Sequence, residues 1–574
     1  MMGNTRIILF GAGAMGGYML EKLSLKGISV DCIIDNDPAR QNGVRYGTPL
    51  CPPSMLARMR PEEVFVLIAV GDEAQRAQIT AQLRGYGLAE HRDFCHGLDL
   101  LQRPERRPGQ VPGLIALDGA FEVRKSYTAS SRIIHKRDEK RIFRAFDGLA
   151  AENFAAVLQG LSGTALPGGR MVDVTAARDQ VPGFSRSLIY EMEFLEPINY
   201  SSEWSPLMFR DNCLWMLDFF MELDKAGLAV SDVHPLNVAF HKGAFRFFDL
   251  EALEAGKMTP AAFADFMNSF LVPLLLLSKG QIIKAGLFLN GMPLNSAFAD
   301  VEGYLDTGER AVWNKLADSC RRLAVKGDLR ALCGELGDYV RSLNFFSMPQ
   351  RWWQRLDQNR AVQARLLRDK GVLALAQKAA PRTLIELCGS LGALPEALSR
   401  QSDYLISVEY DPGTADETYR RVLERGLSKV VPLNFDLLAP PLATHEGQLI
   451  DSRSGIRPWQ QGAAERLRCD LALALDLTPR LVFMRHLDFD EIAATFKRWT
   501  RRWLLTEYPD DDSQAYARNQ AEGFAWYNRE NFELALGRDF DIVKRLRPEG
   551  AGAMLYLCEL KASAKQEQEG KGGI

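Results

Sequence analysis

The sequence predicts a multidomain α/β protein with three folded units. The chain has 574 residues, against roughly 150 in a typical domain. Two segments, 1–100 and 360–560, alternate short apolar strands with helical stretches, as parallel sheets do, whereas 113–350 is mainly helical after a strand-like start. The run 101–112, rich in Pro, Gly and Arg, is predicted to be a linker, and the polar run 561–574 a flexible tail.

Composition excludes several classes of protein. Hydrophobic residues make up 47% of the chain and charged residues 25%, which is typical of globular proteins and excludes disorder, collagen and coiled coil. The net charge is −3, so the chain does not have the positive field that non-specific nucleic-acid binding requires. No nucleic-acid partner is therefore predicted. The nine cysteines lie singly, which predicts neither a disulfide framework nor a paired metal site and favours a cytoplasmic protein.

No transmembrane segment is predicted. The longest apolar block, 270–277, is far shorter than the roughly 18 residues of a spanning helix and contains Pro273, so it is predicted to be a buried helix. The chain runs directly into a strand and turn rather than into a secretory signal. Peripheral membrane association is the alternative that stays open, and the sequence does not predict the oligomeric state.

The first unit begins with a turn of the nucleotide-binding type. A β-rich run, 6–10, is followed by Gly11, Gly13 and Gly16 in the spacing G-x-G-x-x-G, and then by a helical stretch. Such glycines permit a tight turn and a close backbone approach, and the helix N-terminus favours a phosphate. A second strand ends at Asp35, where an acidic residue meets ribose hydroxyls. The alternative is that these glycines only pack helix against strand, without a ligand.

The stretch 30–56 resembles the small N-terminal Rossmann-like domains of bacterial sugar-modifying enzymes, especially sugar O- and N-acyltransferases of surface-glycan pathways. The shared features are an acidic run that ends the second strand, a Pro after it, and a Gly-rich hairpin. The resemblance covers roughly the first 100 residues and implies a dinucleotide or a nucleotide sugar as ligand. No hydride-transfer constellation accompanies the motif, so no dehydrogenase is predicted.

The second unit carries the strongest polar pattern in the chain. Asp232, His234, Asn237 and Asp249 lie among apolar residues in the segment 228–253. Phosphoryl transfer from ATP needs a carboxylate beside the acceptor hydroxyl, and an amide and a second carboxylate that hold Mg²⁺ on the phosphates. The order Asp, Asn, Asp provides these groups. The apolar runs between Asn237 and Asp249 predict a hairpin that brings the two together.

This segment resembles the catalytic loop of protein-kinase-like small-molecule kinases of the aminoglycoside phosphotransferase type, whose pattern is H-G-D-x-H-P-x-N followed by D-x-E. The resemblance implies a protein-kinase-like α+β fold that uses ATP with Mg²⁺. It makes Asp232 the catalytic base, and Asn237 and Asp249 the metal ligands. Val230 and Ser231 depart from the leading His-Gly of the pattern.

Two further parts of such a fold are expected upstream. Where it places a Lys on a strand paired with a helix Glu, this chain offers Arg144 and, in the probable helix that follows, Glu152; Lys125 is the alternative cation. The run 188–197 resembles the hinge strand that receives adenine, and a Gly-rich phosphate loop is missing from the sequence. The unit is either an active phosphotransferase or a kinase fold kept as a scaffold or a nucleotide-sensing pseudoenzyme.

The third unit follows a strand, turn and helix rhythm that predicts a mainly parallel sheet. Ligands of such sheets sit beyond the carboxyl ends of the strands. The residues that fall at those ends are Glu386, Gly389, Gly392, Glu409 and Asp436.

This order of elements resembles class I S-adenosylmethionine-dependent methyltransferases. Together with the segments 270–297 and 524–561, it resembles a group of bacterial methyltransferases related to nodulation-type glycan-modification proteins, over roughly residues 130–560. The resemblance implies S-adenosylmethionine as cofactor. It assigns the first turn to Glu386, Gly389 and Gly392, the ribose to Glu409, and the adenine to Asp436.

Two features of the third unit bear on whether it is active. The family's first turn reads D-x-G-x-G-x-G, and here Cys388 and Ser390 stand where the first two glycines are expected. His486 is expected near the end of the fourth strand, where a general base could face an acceptor hydroxyl. The alternative for His486 is a polar residue at a strand–helix junction.

The leading hypothesis is a cytoplasmic S-adenosylmethionine-dependent methyltransferase that acts on a hydroxyl of a bacterial glycan or glycan precursor. Its kinase-like unit would phosphorylate or hold the acceptor. Two alternatives stay open. One is an ATP-dependent phosphotransferase with a degenerate methyltransferase unit, and the other is a non-catalytic scaffold that senses nucleotides.

Overall fold

The computed structural model divides into two compact units. One comprises residues 1–159 and 172–194, and the other 160–171, 195–446 and 457–574. The residues that the structure describes are 6–25, 30–41, 43–45, 48–70, 72–90, 92–96, 121–125, 131–136, 139–146, 148–162, 170–177, 181, 188–289, 298–326, 328–345, 360–388, 394–441, 462–509, 526–549 and 552–564.

The N-terminal sheet belongs to the first unit and is mostly parallel. Its strands are β1 (Arg6–Phe10), β2 (Cys32–Ile34), β3 (Gly43–Arg45), β4 (Thr48–Cys51), β5 (Val64–Ile68) and β6 (Phe94–His96). They lie in the order β3-β4-β2-β1-β5-β6, and only the β3–β4 hairpin is antiparallel. The helices are α1 (Ala14–Leu25) and α2 (Glu73–Gly85). Strand β5 and, after the exposed Arg6, strand β1 are apolar because both faces of the sheet pack into hydrophobic cores.

A second sheet of the first unit is antiparallel. Its strands are β7 (Phe121–Lys125), β8 (Ser131–Lys136), β9 (Arg141–Phe146), β10 (Val174–Ala176) and β11 (Leu188–Met192). They lie in the order β10-β11-β9-β8-β7, and α3 (Gly148–Ser162) follows β9 in the chain. The helix packs on the sheet through stacked Phe146 and Phe154 rings, whose centroids are 4.3 Å apart.

The second unit contains a helical part with two short strand pairs. Helix α4 (Pro206–Lys225) begins where Ser205 Oγ accepts a hydrogen bond from Met208 N–H, with Pro206 in the first turn. Strands β12 (Leu228–Val230) and β15 (Leu253–Ala255) pair antiparallel. Strands β13 (Val238–His241) and β14 (Ala244–Phe247) form the hairpin that the sequence predicted.

Further helices complete this part. They are α5 (Pro260–Phe266), α6 (Val272–Ser278), α7 (Ile282–Leu289), α8 (Ala299–Glu302), α9 (Thr307–Lys326) and α10 (Leu329–Ser342), with one π-helical turn joining α5 to α6. By length and composition, the continuous helical run Pro260–Ser278 could cross a membrane. However, 72% of its most apolar 18-residue stretch is buried inside the protein. Its segment 270–277 is buried, as predicted for a core helix.

The C-terminal sheet has seven strands in the order β18-β17-β16-β19-β20-β22-β21. They are β16 (Thr383–Leu387), β17 (Tyr404–Glu409), β18 (Val430–Asn434), β19 (Cys469–Ala474), β20 (Thr500–Pro509), β21 (Phe540–Leu546) and β22 (Ala553–Leu560). The first five are parallel, and β22 runs antiparallel to both of its neighbours. The predicted mainly parallel sheet is therefore confirmed.

Seven helices accompany this sheet in the part of the chain that the structure describes. They are α11 (Arg360–Ala379), α12 (Leu394–Ser399), α13 (Pro412–Glu424), α14 (Ala463–Arg466), α15 (Thr478–Arg485), α16 (Phe489–Trp499) and α17 (Arg529–Asp539). Every residue of β16 and β17 is buried, as expected of central strands covered on both faces.

The helical part and the C-terminal sheet contact each other within the second unit. Arg466 at the end of α14 forms an ion pair with Glu203, and both side chains are nearly inaccessible to solvent. The Leu207 backbone N–H at the start of α4 donates a hydrogen bond to Asp416 Oδ1 on α13, at 2.9 Å. These contacts explain why residues 195–446 form one compact unit with the C-terminal segment.

Candidate functional site

Strand order in the C-terminal sheet defines a crevice at its carboxyl edge. From β16 the sheet builds outward through β17 and β18, whereas from β19 it builds the other way to β20. Such a reversal opens a crevice beyond the carboxyl ends of the two central strands, where ligands of doubly wound sheets bind. The side chains at the ends of these five strands are therefore the candidates for a site.

Acidic side chains lie at the ends of β16 and β17, as the sequence predicted. Glu409 is the last residue of β17 and is 5% exposed. Asn434, at the end of β18, donates from Nδ2 to the Glu409 carbonyl at 2.8 Å and holds the two strand ends together. Glu386 is buried within β16 and accepts a hydrogen bond from Ser407 Oγ at 3.1 Å. Glu409 thus lies at the crevice, and Glu386 lies beneath it in the sheet.

The turn after β16 has the backbone of a glycine turn although a cysteine occupies it. Cys388 adopts a φ of 53°, in the left-handed region that favours glycine, and its N–H donates to the Val408 carbonyl at 2.9 Å. Burial raises the pKa of the Cys388 thiol to about 12, and the Glu409 carboxylate adds to this effect. Gly389 and Gly392, which the sequence assigned to the same turn, lie outside the described residues.

Asp436, which follows β18, is engaged by an arginine. Its Oδ1 accepts the Leu438 backbone N–H at 2.9 Å, and its Oδ2 accepts Arg485 Nη2 at 2.8 Å. The Arg485 guanidinium also lies over the Tyr410 ring, 5.4 Å from its centroid. Arg485 therefore spans the ends of β17 and β18, and its hydrogen bond with Asp436 raises the pKa of Arg485.

His486 does not lie at the end of the fourth strand, so this prediction was wrong. Strand β19 ends at Ala474, and the whole of helix α15 separates it from His486. His486 is the exposed residue that ends α15, with a φ of 56°. Thr478 and Pro479 start the helix, because Pro fits its first turn.

Sequence reasoning missed a partly buried ion cluster on the other side of the crevice. Arg368 on α11 donates from Nη1 to Asp476 Oδ2 at 2.8 Å and to Glu507 Oε1 at 3.1 Å. The Asp476 backbone N–H also donates to Glu507 Oε1, at 2.6 Å. Asp476 follows the end of β19, and Glu507 lies near the end of β20. The signal for Asp476 was in the sequence: an acidic residue directly after the fourth strand.

The polar residues of the second unit come together as their spacing suggested. Asn237 Nδ2 donates to the Asp232 carbonyl at 3.2 Å, and Phe248 N–H donates to the Asn237 carbonyl at 3.0 Å, which brings the neighbouring Asp249 to the same loop. His234 Nε2 lies 3.3 Å from Asp232 Oδ2. Burial acts to raise the pKa of Asp232, but the hydrogen bond with His234 prevails and lowers it.

The upstream residues assigned to ATP lie in the first unit. Arg144 is buried on β9, opposite Tyr190 of β11, whereas Glu152 is exposed on α3. A buried guanidinium and an exposed carboxylate do not form the buried Lys–Glu type of pair expected there. An ion pair of this sheet joins Arg141 to Glu191 instead, at 2.6 Å.

The three glycines of the N-terminal turn differ in whether packing requires them. An added Cβ at Gly11 would lie 2.6 Å from the Ala69 carbonyl oxygen, and one at Gly16 would lie 2.0 Å from the Gly11 carbonyl oxygen, so both positions require glycine for packing. An added Cβ at Gly13 meets nothing closer than 3.8 Å. Asp35 Oδ2 accepts a hydrogen bond from the Ala12 backbone N–H at 2.7 Å, so this carboxylate stabilises the glycine turn directly.

Comparisons with known proteins add structural neighbours only. No family model matches the chain, and no curated protein sequence matches it. The N-methyltransferase NodS from Bradyrhizobium japonicum WM9 is 16% identical, over 36% of this chain and 99% of its own, with a TM-score of 0.25. Magnesium protoporphyrin IX methyltransferase from Synechocystis PCC 6803 is 13% identical, over 37% of this chain and 94% of its own, with a TM-score of 0.26. Evidence for the function of the chain therefore comes from the strand order and the crevice.

Proposed function

We propose that the chain is an S-adenosylmethionine-dependent methyltransferase whose cofactor binds beside the ends of β16, β17 and β18. The observation that carries the proposal is Glu409, a buried carboxylate at the end of the second strand, which neighbours β16 at the switch point of the sheet. A sheet order of 3-2-1-4-5-7-6, with an antiparallel seventh strand, is that of the class I methyltransferase fold. Both features agree with the resemblance found in the sequence.

The residues at the crevice fit this cofactor at its adenosine end. Glu409 offers a carboxylate to the ribose hydroxyls, and the left-handed backbone at Cys388 gives the first turn the shape that a glycine gives it. Asp436 offers a carboxylate to the adenine amino group. To bind there, the amino group has to displace the Arg485 guanidinium from Asp436. Glu386, Gly389 and Gly392 complete the proposed set, with Glu386 supporting the turn from within β16.

The chemistry asked of the protein is modest. The bound cofactor supplies a methyl group on a sulfonium centre. The strand ends orient the cofactor and its acceptor, and alignment of the reacting atoms provides most of the rate enhancement for a transfer of this kind. As acceptor we propose a hydroxyl of a bacterial glycan or glycan precursor, which is the class that the sequence resemblance favours.

Calorimetric titration with S-adenosylmethionine tests the proposal. The wild-type chain is expected to bind, and Glu409→Ala is expected to weaken binding at least about tenfold, because charge-assisted hydrogen bonds to the ribose are lost. Glu424→Ala is the matched control, since Glu424 is an exposed carboxylate at the far end of α13. Binding that Glu409→Ala leaves unchanged, or no binding by folded protein, contradicts the proposal.

A second candidate function, phosphoryl transfer from ATP with Mg²⁺, is favoured by the loop of the second unit. Asp232, Asn237 and Asp249 are the groups that a kinase-type site requires, and the bond from Asn237 to the Asp232 carbonyl holds the loop. A role of Arg144, on the third strand of the antiparallel sheet, as the cation for the phosphates remains a prediction of the sequence. The proposed site lacks a Lys at this position, so slow turnover or binding alone is expected.

Asp249→Asn separates this candidate from a scaffold without nucleotide. Titration with ATP and Mg²⁺ is expected to show binding that Asp249→Asn weakens about tenfold or more, because a carboxylate ligand of the metal is lost. Asp224→Asn, an exposed change on α4, is the control. Equal binding by wild type and Asp249→Asn would exclude a metal-dependent site at this loop. A ligand for the glycine turn at Gly11, Gly13 and Gly16, whether a dinucleotide or a nucleotide sugar, remains a prediction of the sequence.

A further inference from the structure

The crevice of the C-terminal sheet has a second side that the proposed cofactor does not use. Glu409 and Asp436 lie on the side of β17 and β18, whereas Asp476 and Glu507 lie at the ends of β19 and β20. Asp476 comes two residues after the end of β19, one of the two strands at the switch point. A group that accepts the methyl from a cofactor on the first side has to approach from this second side.

The two carboxyl groups form a pair held by one arginine. Arg368 Nη1 donates to both, at 2.8 Å to Asp476 Oδ2 and 3.1 Å to Glu507 Oε1, and the Arg368 side chain is 5% exposed. Asp476 is the accessible member, with half of its side chain exposed, while Glu507 is 5% exposed. Glu507 Oε2 is buried and receives no hydrogen bond from the atoms that the structure describes. A buried carboxyl oxygen without a donor is satisfied by a proton or by a ligand.

We propose that Asp476 and Glu507 form the acceptor side of the methyltransferase site. Asp476 contacts the O–H or N–H group of the acceptor, and the pair takes the proton of that group as the methyl is transferred. The bond from the acceptor atom to the methyl carbon forms while the sulfur–methyl bond breaks, the sulfur keeps the electron pair, and the proton passes from the carboxyl pair to bulk water. Arg368 is a positioning residue that holds both carboxylates. The inference rests on the proposed function.

The electrostatic environment suits a proton acceptor near neutral pH. Burial raises the pKa of Glu507 to about 7, and Asp476 raises it further while Arg368 acts against the shift. Among the described residues, Asp476 from the end of β19 and Arg368 from α11 are the charged groups that act on Glu507. Asp369 Oδ1 accepts a hydrogen bond from the same guanidinium at 3.3 Å. On the neighbouring strand β22, the residue paired with Glu507 is the apolar Leu555. A base with a pKa near the working pH is the most effective kind.

Two cofactor analogues test the inference without knowledge of the acceptor. S-adenosylhomocysteine lacks the methyl group, and sinefungin carries a protonated amine at the place of the methylsulfonium centre. At pH 7 the wild-type chain is expected to bind sinefungin about tenfold more tightly than S-adenosylhomocysteine, since the amine meets the carboxylates. Asp476→Asn is expected to bring this ratio close to one, with the affinity for S-adenosylhomocysteine unchanged. Asn tolerates the φ of 53° at this position, so the backbone is preserved.

The pH dependence of the ratio distinguishes a proton-accepting pair from a merely structural one. Between pH 6 and pH 8 the preference for sinefungin is expected to rise in the wild type, because Glu507 loses its proton and the pair gains a negative charge. Glu507→Gln is expected to flatten this dependence. The control Asp541→Asn, an exposed change on the edge strand β21, leaves both the ratio and its pH dependence unchanged.

The outcomes separate this inference from the proposed function. A ratio near one in the wild type, or a ratio that Asp476→Asn does not change, overturns the inference while S-adenosylhomocysteine binding sustains the cofactor site. Failure of both analogues to bind to folded protein overturns the proposed function and the inference together.

Discussion

Single residues decide whether the proposed cofactor site is competent, and Cys388 is the most informative of them. Its left-handed backbone shows that the turn after β16 keeps the conformation of a glycine turn. A non-glycine residue in this region carries about 1 kcal/mol of strain. Cys388 brings both the strained backbone and a side chain to a position where the family has glycine. Replacing Cys388 therefore tests both effects.

Cys388→Gly is expected to tighten binding of S-adenosylmethionine several-fold while changing the melting temperature little. The relief of strain is offset by the greater entropy of glycine in the unfolded chain, about 0.5–1 kcal/mol, whereas the space opened beside Glu409 favours the cofactor. Cys388→Ala is the matched control, because it removes the thiol and keeps the strain. Calorimetry and thermal unfolding check both parts. Weaker binding by Cys388→Gly than by the wild type would show that the thiol itself contributes to the site.

At the residue level, the sequence predicted side chains that directly follow a strand. It did not predict side chains that reach the site from distant parts of the chain. Glu409 ends β17 as expected, because an acidic residue after an apolar run marks the carboxyl edge of a parallel sheet. Arg368 could not be predicted, since it lies 108 positions from Asp476 and reaches it only through the packing of α11. The prediction for His486 was wrong because Thr478 and Pro479 start α15 soon after β19, which puts a whole helix between the strand end and His486.

At the level of elements, the hairpin and the sheet were predictable because their patterns are local. The apolar residues of β13 pair with the alternating Phe residues of β14, with Val238 opposite Phe247. The docking of α14 on the segment after β11 was not predictable, because it depends on one buried ion pair between residues 263 positions apart, Arg466 and Glu203. Burial raises the pKa of Glu203, and the Arg466 charge opposes that effect.

Arg466→Met is expected to destabilise the second unit strongly. It leaves the Glu203 carboxyl buried without its cation, and loss of one partner of a buried pair costs about 3–5 kcal/mol. The first thermal transition is expected to fall by about 5 °C or more. Arg400→Met, which removes an exposed guanidinium paired with Glu396, is the control and is expected to change the transition by less than about 1 °C. A similar effect of the two changes would contradict a structural role for the buried pair.

For the whole molecule, the sequence predicted a mixed α/β chain with three folded units. The described residues are mixed α/β, with three larger sheets and two short strand pairs. The grouping of these sheets into two compact units follows from contacts such as Leu207 to Asp416, which no local pattern encodes. The predicted boundaries at 101–112 and 350–360 stay predictions. Because three separate elements offer nucleotide-type turns or loops, the central claim is about location: the cofactor of methyl transfer binds at the C-terminal sheet.

Hydrogen–deuterium exchange with and without S-adenosylmethionine measures this location most directly. The account predicts slower exchange in peptides that contain Cys388 and Tyr410, with no change at Ala12 in the N-terminal turn, because bound cofactor covers the ends of β16 and β17. Glu409→Ala is expected to abolish the effect. Protection confined to the N-terminal turn, or exchange that the cofactor leaves unchanged throughout, would contradict the account.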